Sequence, residues 1–242
     1  PLDAWGIEVT LVPAPPPRSI LRRFLDLPFQ ATPDLLRRLA SPAMDRCLAH
    51  LAGRLAGQVD VLQVEGIEMA PFGLALRAAL AKGGPAPRLV YDAHNAEWIL
   101  QDRAWRADLG RGLAGLPGVV YSLIQTAKLR RYEARLLRSS DAVVAVSSAD
   151  AAVLRALAPE VSPLVVPNGV DTTVYRPSPE PEDPDLVLFT GKMDFRPNID
   201  GMAWFCEAVW PLARAQRPTL RLQIVGRDPV PRVQALASAG LG

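Results

Sequence analysis

The sequence is short of several kinds of residue, and each shortage excludes something. It has two cysteines, Cys47 and Cys206, and two histidines, His50 and His94. These four stand at no metal-ligand spacing, so neither a disulfide framework nor a zinc site is expected. No apolar run approaches the roughly 20 residues that span a bilayer. The opening residues Pro1–Trp5 carry no basic segment followed by an apolar one, so no signal-peptide pattern is visible. Charge of one sign is missing too. The 27 basic residues face 25 acidic ones, leaving +2, which is too balanced to imply nucleic acid as a partner. Only Lys82, Lys128 and Lys192 are lysines; a GC-rich coding bias explains the excess of arginine and makes an arginine cluster weak evidence of function. No Gly-x-Ser-x-Gly elbow is present, and the Gly-x-Gly-x-x-Gly match at Gly110–Gly115 follows a helix-like stretch where the dinucleotide fingerprint needs a strand. A serine hydrolase and a standard dinucleotide oxidoreductase lose their main support.

Hydrophobic residues make up 49% of the chain, enough for a sizeable core. Strand-like runs alternate with helix-like ones: Ile7–Val12, Val59–Val64, Arg88–Asp92, Ala142–Val146 and Leu164–Val166, separated by Ala/Leu/Arg stretches. Apolar strands alternating with helices indicate a parallel sheet covered on both faces. The segment from Val170 to Asp185 changes character, with Pro177, Pro179, Pro181 and Pro184 among acidic residues; it reads as a linker. The pattern then restarts with Leu186–Thr190, a helix, and Leu220–Val225. In that helix Ile199, Met202, Cys206, Val209 and Ala213 form one expected buried stripe, with Cys206 a core thiol and Asn198 or Asp200 a candidate cap. The expected division is an N-terminal domain over 1–170, a linker over 171–185, and the start of a second domain over 186–242. One β-α-β unit of about 55 residues closes no core by itself, so the sequence reads as an excerpt of a longer chain.

Chemistry is expected where loops leave the carboxyl ends of parallel strands. Gly191 and Lys192 follow one strand and precede a helix, an arrangement that can face an anion with backbone N–H groups and a point charge. A tight turn with a solvated lysine accounts for the same residues. His94 and Asn95 follow Arg88–Asp92, where an imidazole can donate to a phosphate or sugar oxygen, or simply cap the next helix. Asn168-Gly169 reads as a turn, as does Gly226-Arg227-Asp228. Lys128, Arg131, Arg135 and Arg138 share a helix face; Arg18, Arg22 and Arg23 lie among Ile20, Leu21, Phe24 and Leu25. Both are solvated faces or contacts with an anionic membrane. No carboxylate cluster for a divalent ion is visible.

The ordered set of these motifs resembles the family-4-type glycosyltransferases of the GT-B fold. Ile7–Val12 is similar to their second strand and Tyr91-Asp92-Ala93-His94-Asn95 to their fourth; Arg131-Tyr132-Glu133 and Ser140–Ser147 continue the order. Val166–Asp171 resembles the passage between domains. Phe189–Asp194 with Pro197, Asn198 and Asp200 resembles a subgroup linked to bacterial exopolysaccharide export.

The resemblance implies an α/β fold of two Rossmann-like doubly wound domains, the second incomplete. It implies a retaining hexosyltransferase that moves a sugar from a nucleotide-sugar donor to a glycan or lipid-linked acceptor. His94 would be catalytic. Gly191, Lys192, Arg196 and Gly226 would hold the donor, Arg196 standing in for the family's second basic residue. Asn95 and Asn168 would line the acceptor side. The family's first strand with its Gly-rich loop would precede Pro1 and its paired glutamates would follow Gly242, so this stretch alone is expected to be inactive. No cofactor and no metal are expected. The expected location is cytoplasmic, at the inner face of the membrane, with a peripheral membrane contact. A GT-B-fold nucleotide-sugar epimerase and a non-catalytic sugar-nucleotide-binding or assembly protein are the alternatives.

Overall fold

Four strands pair in parallel in the order in which they occur: β1 (Val61–Glu65), β2 (Arg88–Ala93), β3 (Ala142–Ala145) and β4 (Leu164–Val165). A parallel neighbour can be reached only by a crossover, and the helices supply these. α3 (Ala70–Leu80) links β1 to β2, α4 (Glu97–Leu109) and α5 (Leu116–Ser139) link β2 to β3, and α6 (Ser148–Leu157) links β3 to β4. Two further helices, α1 (Ile20–Asp26) and α2 (Pro42–Leu55), precede the sheet, each capped by a serine that accepts from an amide of its first turn. This computed structural model describes residues 5–109, 116–179 and 181–238. The chain divides into two compact units, Pro1–Gly169 and Val170–Gly242.

The register sets the core of the first unit. Val64 stands beside Tyr91, and Tyr91 beside Val143, so three large side chains point to one face, and all are buried. Leu129, Leu136 and Leu137 of α5 and Leu154 of α6 belong to the same cluster. α3 comes so close that a Cβ on Gly73 would lie 2.3 Å from Val64 Cγ2. Burial alternates along β2, with Leu89, Tyr91 and Ala93 buried and Val90 and Asp92 half-buried. One face is therefore more deeply covered than the two-sided burial expected from the apolar runs.

The expected strand Ile7–Val12 does not form: it joins no ladder among the described residues. Thr10 and Val12 run beside Leu62–Glu65 around an apolar cavity without joining the ladder, and the prolines at 13, 15, 16 and 17 carry no N–H to donate. A strand exists through its partner, and β propensity alone does not supply one.

The second unit has β5 (Leu186–Thr190) and β6 (Arg221–Val225), paired in parallel, with α7 (Arg196–Trp204) and α8 (Trp210–Gln216) between them and α9 (Pro231–Ser238) after. A π-helical turn, Phe205–Val209, joins α7 to α8. Pro211 explains it. A proline in a continuous helix lacks the N–H for its i−4 bond and pushes on that carbonyl, and a widened turn absorbs both effects. The extra residue shifts the phase of the expected stripe. Met202 and Cys206 are buried, Ile199, Val209 and Ala213 only partly, and Trp210 takes the deepest place. The cap differs as well. Phe195 occupies the N-cap position of α7 without a side-chain bond, the Asn198 amide donates to the Lys192 carbonyl (3.0 Å), and Asp200 pairs with Arg196 and Arg232.

Candidate functional site

In the first unit the polar residues collect at the carboxyl ends of β1 and β2. Parallel pairing puts Glu65 level with Asp92, and the chain turns after Ala93 to present His94 beside them. His94 Nε2 lies 2.9 Å from Glu65 Oε2. A carboxylate only accepts, so this contact assigns the donated proton to Nε2 and leaves Nδ1 to the other side of the ring. The imidazole is about half exposed, so a ligand can reach it. The amide of Gln63 donates to both Glu65 (2.6 Å) and Asp92 (3.2 Å), which offsets the repulsion of two neighbouring carboxylates.

Glu65, Asp92 and His94 thus bring three ligand-type atoms within 4.8 Å of one another. The linear sequence shows no such cluster, because its members come from two strands and meet only through the register. Asn95 follows His94 and sits 3.5 Å from Glu97 Oε1. Asn168 is exposed after β4, and no hydrogen bond among the described residues brings it to His94.

The backbone behind His94 is held by acids. The amide of Ala96 donates to Asp150 (3.3 Å), which is itself tied to the Ser147 cap of α6. The next two amides, of Glu97 and Trp98, donate to the two oxygens of Glu133 at 3.3 and 3.2 Å. Glu133 is 0% exposed, within the α5 stripe beside Leu129, Leu136 and Leu137. Burial pushes its carboxyl up to about 7 despite the two amides, which favour the charged form. Tyr91 lies close by with a buried hydroxyl that finds no partner among the described residues, and burial together with Glu133 raises it. Glu97 is raised as well, first by burial.

In the second unit β5 and β6 end with two glycines packed backbone to backbone. A Cβ on Gly226 would fall 1.7 Å from the Gly191 carbonyl oxygen, and a Cβ on Gly191 would fall 2.8 Å from the Asn198 amide. Nothing but hydrogen fits at Gly226, where the neighbour is backbone, whereas at Gly191 the Asn198 side chain would have to move. Lys192 follows, its Nζ 3.0 Å from Asp194, both partly exposed. Arg196, in the first turn of α7, contacts Asp200 at 3.4 Å. Gly191, Lys192, Arg196 and Gly226 therefore gather at one end of the β5–β6 pair, as His94 and Asn95 gather at the end of β2.

The sequence model described as Glycosyltransferase Family 4 matches residues 2–174. The chain belongs to that family. No curated protein matches it. The matched span takes in the whole sheet of β1 to β4 and the His94 loop, and it makes the protein glycosyltransferase-like, with an α/β, Rossmann-like fold. No helix among the described residues is long and apolar enough to cross a membrane.

For this family 4 chain the sequence reading missed Glu65, and it quoted Glu133 in Arg131-Tyr132-Glu133 without giving it a role. Glu65 stands 29 residues before His94, and only the register brings them together. Glu133 did leave a signal. It lies four residues after Leu129 and three before Leu136, an acid in the middle of an apolar helical stripe.

Proposed function

We propose that the protein transfers a hexosyl residue, with retention of anomeric configuration, from a nucleotide-diphosphate sugar to a glycan or lipid-linked acceptor of exopolysaccharide type. The observation that carries this reading is His94. In a family 4 chain, an accessible imidazole stands at the carboxyl end of a central parallel strand, oriented by a carboxylate. Open α/β sheets bind ligands at that end. A cytoplasmic location fits the nucleotide-sugar donor.

The chemistry follows from charge. Breaking the anomeric C–O bond leaves an oxocarbenium-like sugar and a diphosphate that gains negative charge, so fixed donors at the diphosphate stabilise the transition state more than the ground state. Lys192 would serve there. Its pair with Asp194 is partly exposed, and such pairs are worth at most about 1 kcal/mol, so a dianionic diphosphate displaces Asp194. Gly191 and Gly226 keep side chains out of the way, and Arg196 adds a second positive group at the start of α7. His94 donates to the departing phosphate oxygen or to a sugar hydroxyl. Asn95 and Asn168 belong to the acceptor side.

The test uses the full chain with a panel of nucleotide-diphosphate hexoses, following donor binding by calorimetry and transfer to water or added glycan by nucleotide release. Anomeric configuration of the product is read by NMR. Lys192→Ala should lower turnover by about 10²–10³-fold, the effect of removing one transition-state charge partner. Donor affinity and turnover within a few-fold of the parent protein would remove Lys192 from the site. Failure of every donor to bind would remove the transfer reading.

A further inference from the structure

The helix α1 is built the wrong way round for a water-facing helix. Leu21, Phe24 and Leu25, at i, i+3 and i+4, form one apolar face, and that face is the exposed one: Leu21 is 70% and Leu25 63% accessible. Its acid and Arg23 turn inward, while Arg22 stays exposed. Asp26 is held by Arg18 and Arg37, and nearby Asp34 by Arg18 and Arg23. Water-facing helices show the reverse pattern.

α5 continues this surface. Val120, Leu123 and Ile124 make an exposed stripe on its first half, opposite the buried Val119, Gln125 and Leu129. At 100° per residue the same stripe runs on through Arg131, Arg135 and Arg138. One helix face is thus apolar over its first half and basic over its second. The two helices are joined by the Phe24 and Tyr121 rings, 5.0 Å apart. Lys128 also ties them, donating to the carbonyls of Leu27 and Gln30 at 2.6 Å each. Lys128, Arg131, Arg135 and Arg138 with Ala31 line a shallow depression there. Arg22 and Arg131 have no acidic partner among the described residues.

We propose that the exposed face of α1 and α5 seats the protein on an anionic lipid bilayer, with the leucines and phenylalanine in the acyl boundary and the arginines at the phosphates. The charge pattern selects this occupant. Asp26 and Asp34 are consumed by inward pairs and the exposed Glu160 is paired with Arg138, so what α1 and the α5 stripe turn outward is apolar or positive, the pattern of a helix that lies in a membrane interface. The proposal does not rest on sugar transfer, and binding is measured with no donor present.

The full chain is sedimented with vesicles of phosphatidylcholine alone and of phosphatidylcholine with one third phosphatidylglycerol. The chain should partition onto the anionic vesicles and leave the neutral ones. The triple variant R22Q/R131Q/R135Q should lose about a hundredfold in affinity, about fivefold for each arginine near the surface. L21S/L25S should lose about tenfold or more with an unchanged melting temperature, because both side chains are already exposed. No partition of the parent protein, or equal binding by the variants, would overturn the proposal. So would self-association that L21S/L25S abolishes while vesicles remain unbound, since a second copy would then be the occupant.

Discussion

Replacing Glu133 by glutamine should change how stability responds to pH more than it changes stability itself. The carboxyl of Glu133 is lifted from 4.5 to about 7 in the folded protein, chiefly by burial. The folded state therefore holds this proton more tightly than the unfolded chain does. Between pH 4.5 and 7 unfolding releases it, so stability is greatest on the acid side of that window and falls as pH rises through it. A shift of this size corresponds to about 3 kcal/mol at about 1.4 kcal/mol per pH unit. The glutamine side chain cannot titrate. Its carbonyl oxygen still accepts one of the two amides, so near pH 5, where the parent residue is protonated, the variant should lie within about 1 kcal/mol of the parent. By pH 8 E133Q should be the more stable protein, by about 2–3 kcal/mol, or roughly 5–12 °C in melting temperature for a unit of this length. Thermal melts of both proteins at pH 5, 6, 7 and 8 read this difference directly. Glu97 is also raised and its charge repels that of Glu133, so the difference reads Glu133 together with this coupling, both of which disappear in E133Q. Parallel curves from pH 5 to 8 would refute the reasoning, because the buried acid would then not titrate in that range.

Two further outcomes follow from the same geometry. His94→Ala should lower turnover more than His94→Asn, which keeps a donor, while donor affinity changes little; unchanged turnover in a destabilised His94→Ala protein would make this residue a mere cap. Gly226→Ala forces a Cβ to within 1.7 Å of the Gly191 carbonyl oxygen, so it should abolish slow amide exchange across Leu186–Thr190 and Arg221–Val225. Normal protection there would show that the two backbones can separate.

What the sequence made legible follows a physical rule. Leu186–Thr190 and Arg88–Asp92 stood out because strands inside a parallel sheet are continuous apolar runs, and both lie where the structure has them to within a residue. Ile7–Val12 has the same composition and is no strand, because pairing depends on a partner that a propensity cannot see. The helix after Pro197 was legible as a helix, and its phase was not, since the π turn at Phe205–Val209 inserts a residue into the count. At the site, His94 could be found because it follows a strand. Its partner Glu65 could not, because nothing before the register is known places these two residues side by side.

The two helix N-termini that follow sheet strands at the candidate sites are finished differently, and the difference bears on which could take an anion. At α4 the three successive amides of Ala96, Glu97 and Trp98 already donate to Asp150 and Glu133. The positive end of that helix is filled by the protein's own carboxylates, which fix the chain just after His94 and close the position to a phosphate. At α7 no side chain caps the first turn, Pro197 carries no N–H, the amides of Asn198 and Ile199 donate to the Phe195 carbonyl, and the nearby charges include Lys192 and Arg196. Anions favour a helix N-terminus that carries no internal carboxylate and has basic side chains beside it. The division of labour in the proposed reaction follows from this contrast. Internal acids at α4 hold the imidazole loop in place, and in the proposed reaction the donor diphosphate would meet Lys192 and Arg196 at the α7 end. An acid introduced at α7, as in Asn198→Asp, removes the amide that Asn198 donates to the Lys192 carbonyl and adds a charge of the donor's own sign. Donor affinity measured by calorimetry should fall about fivefold or more in that variant, the scale of one charge at a helix end. An unchanged affinity would move the diphosphate away from α7.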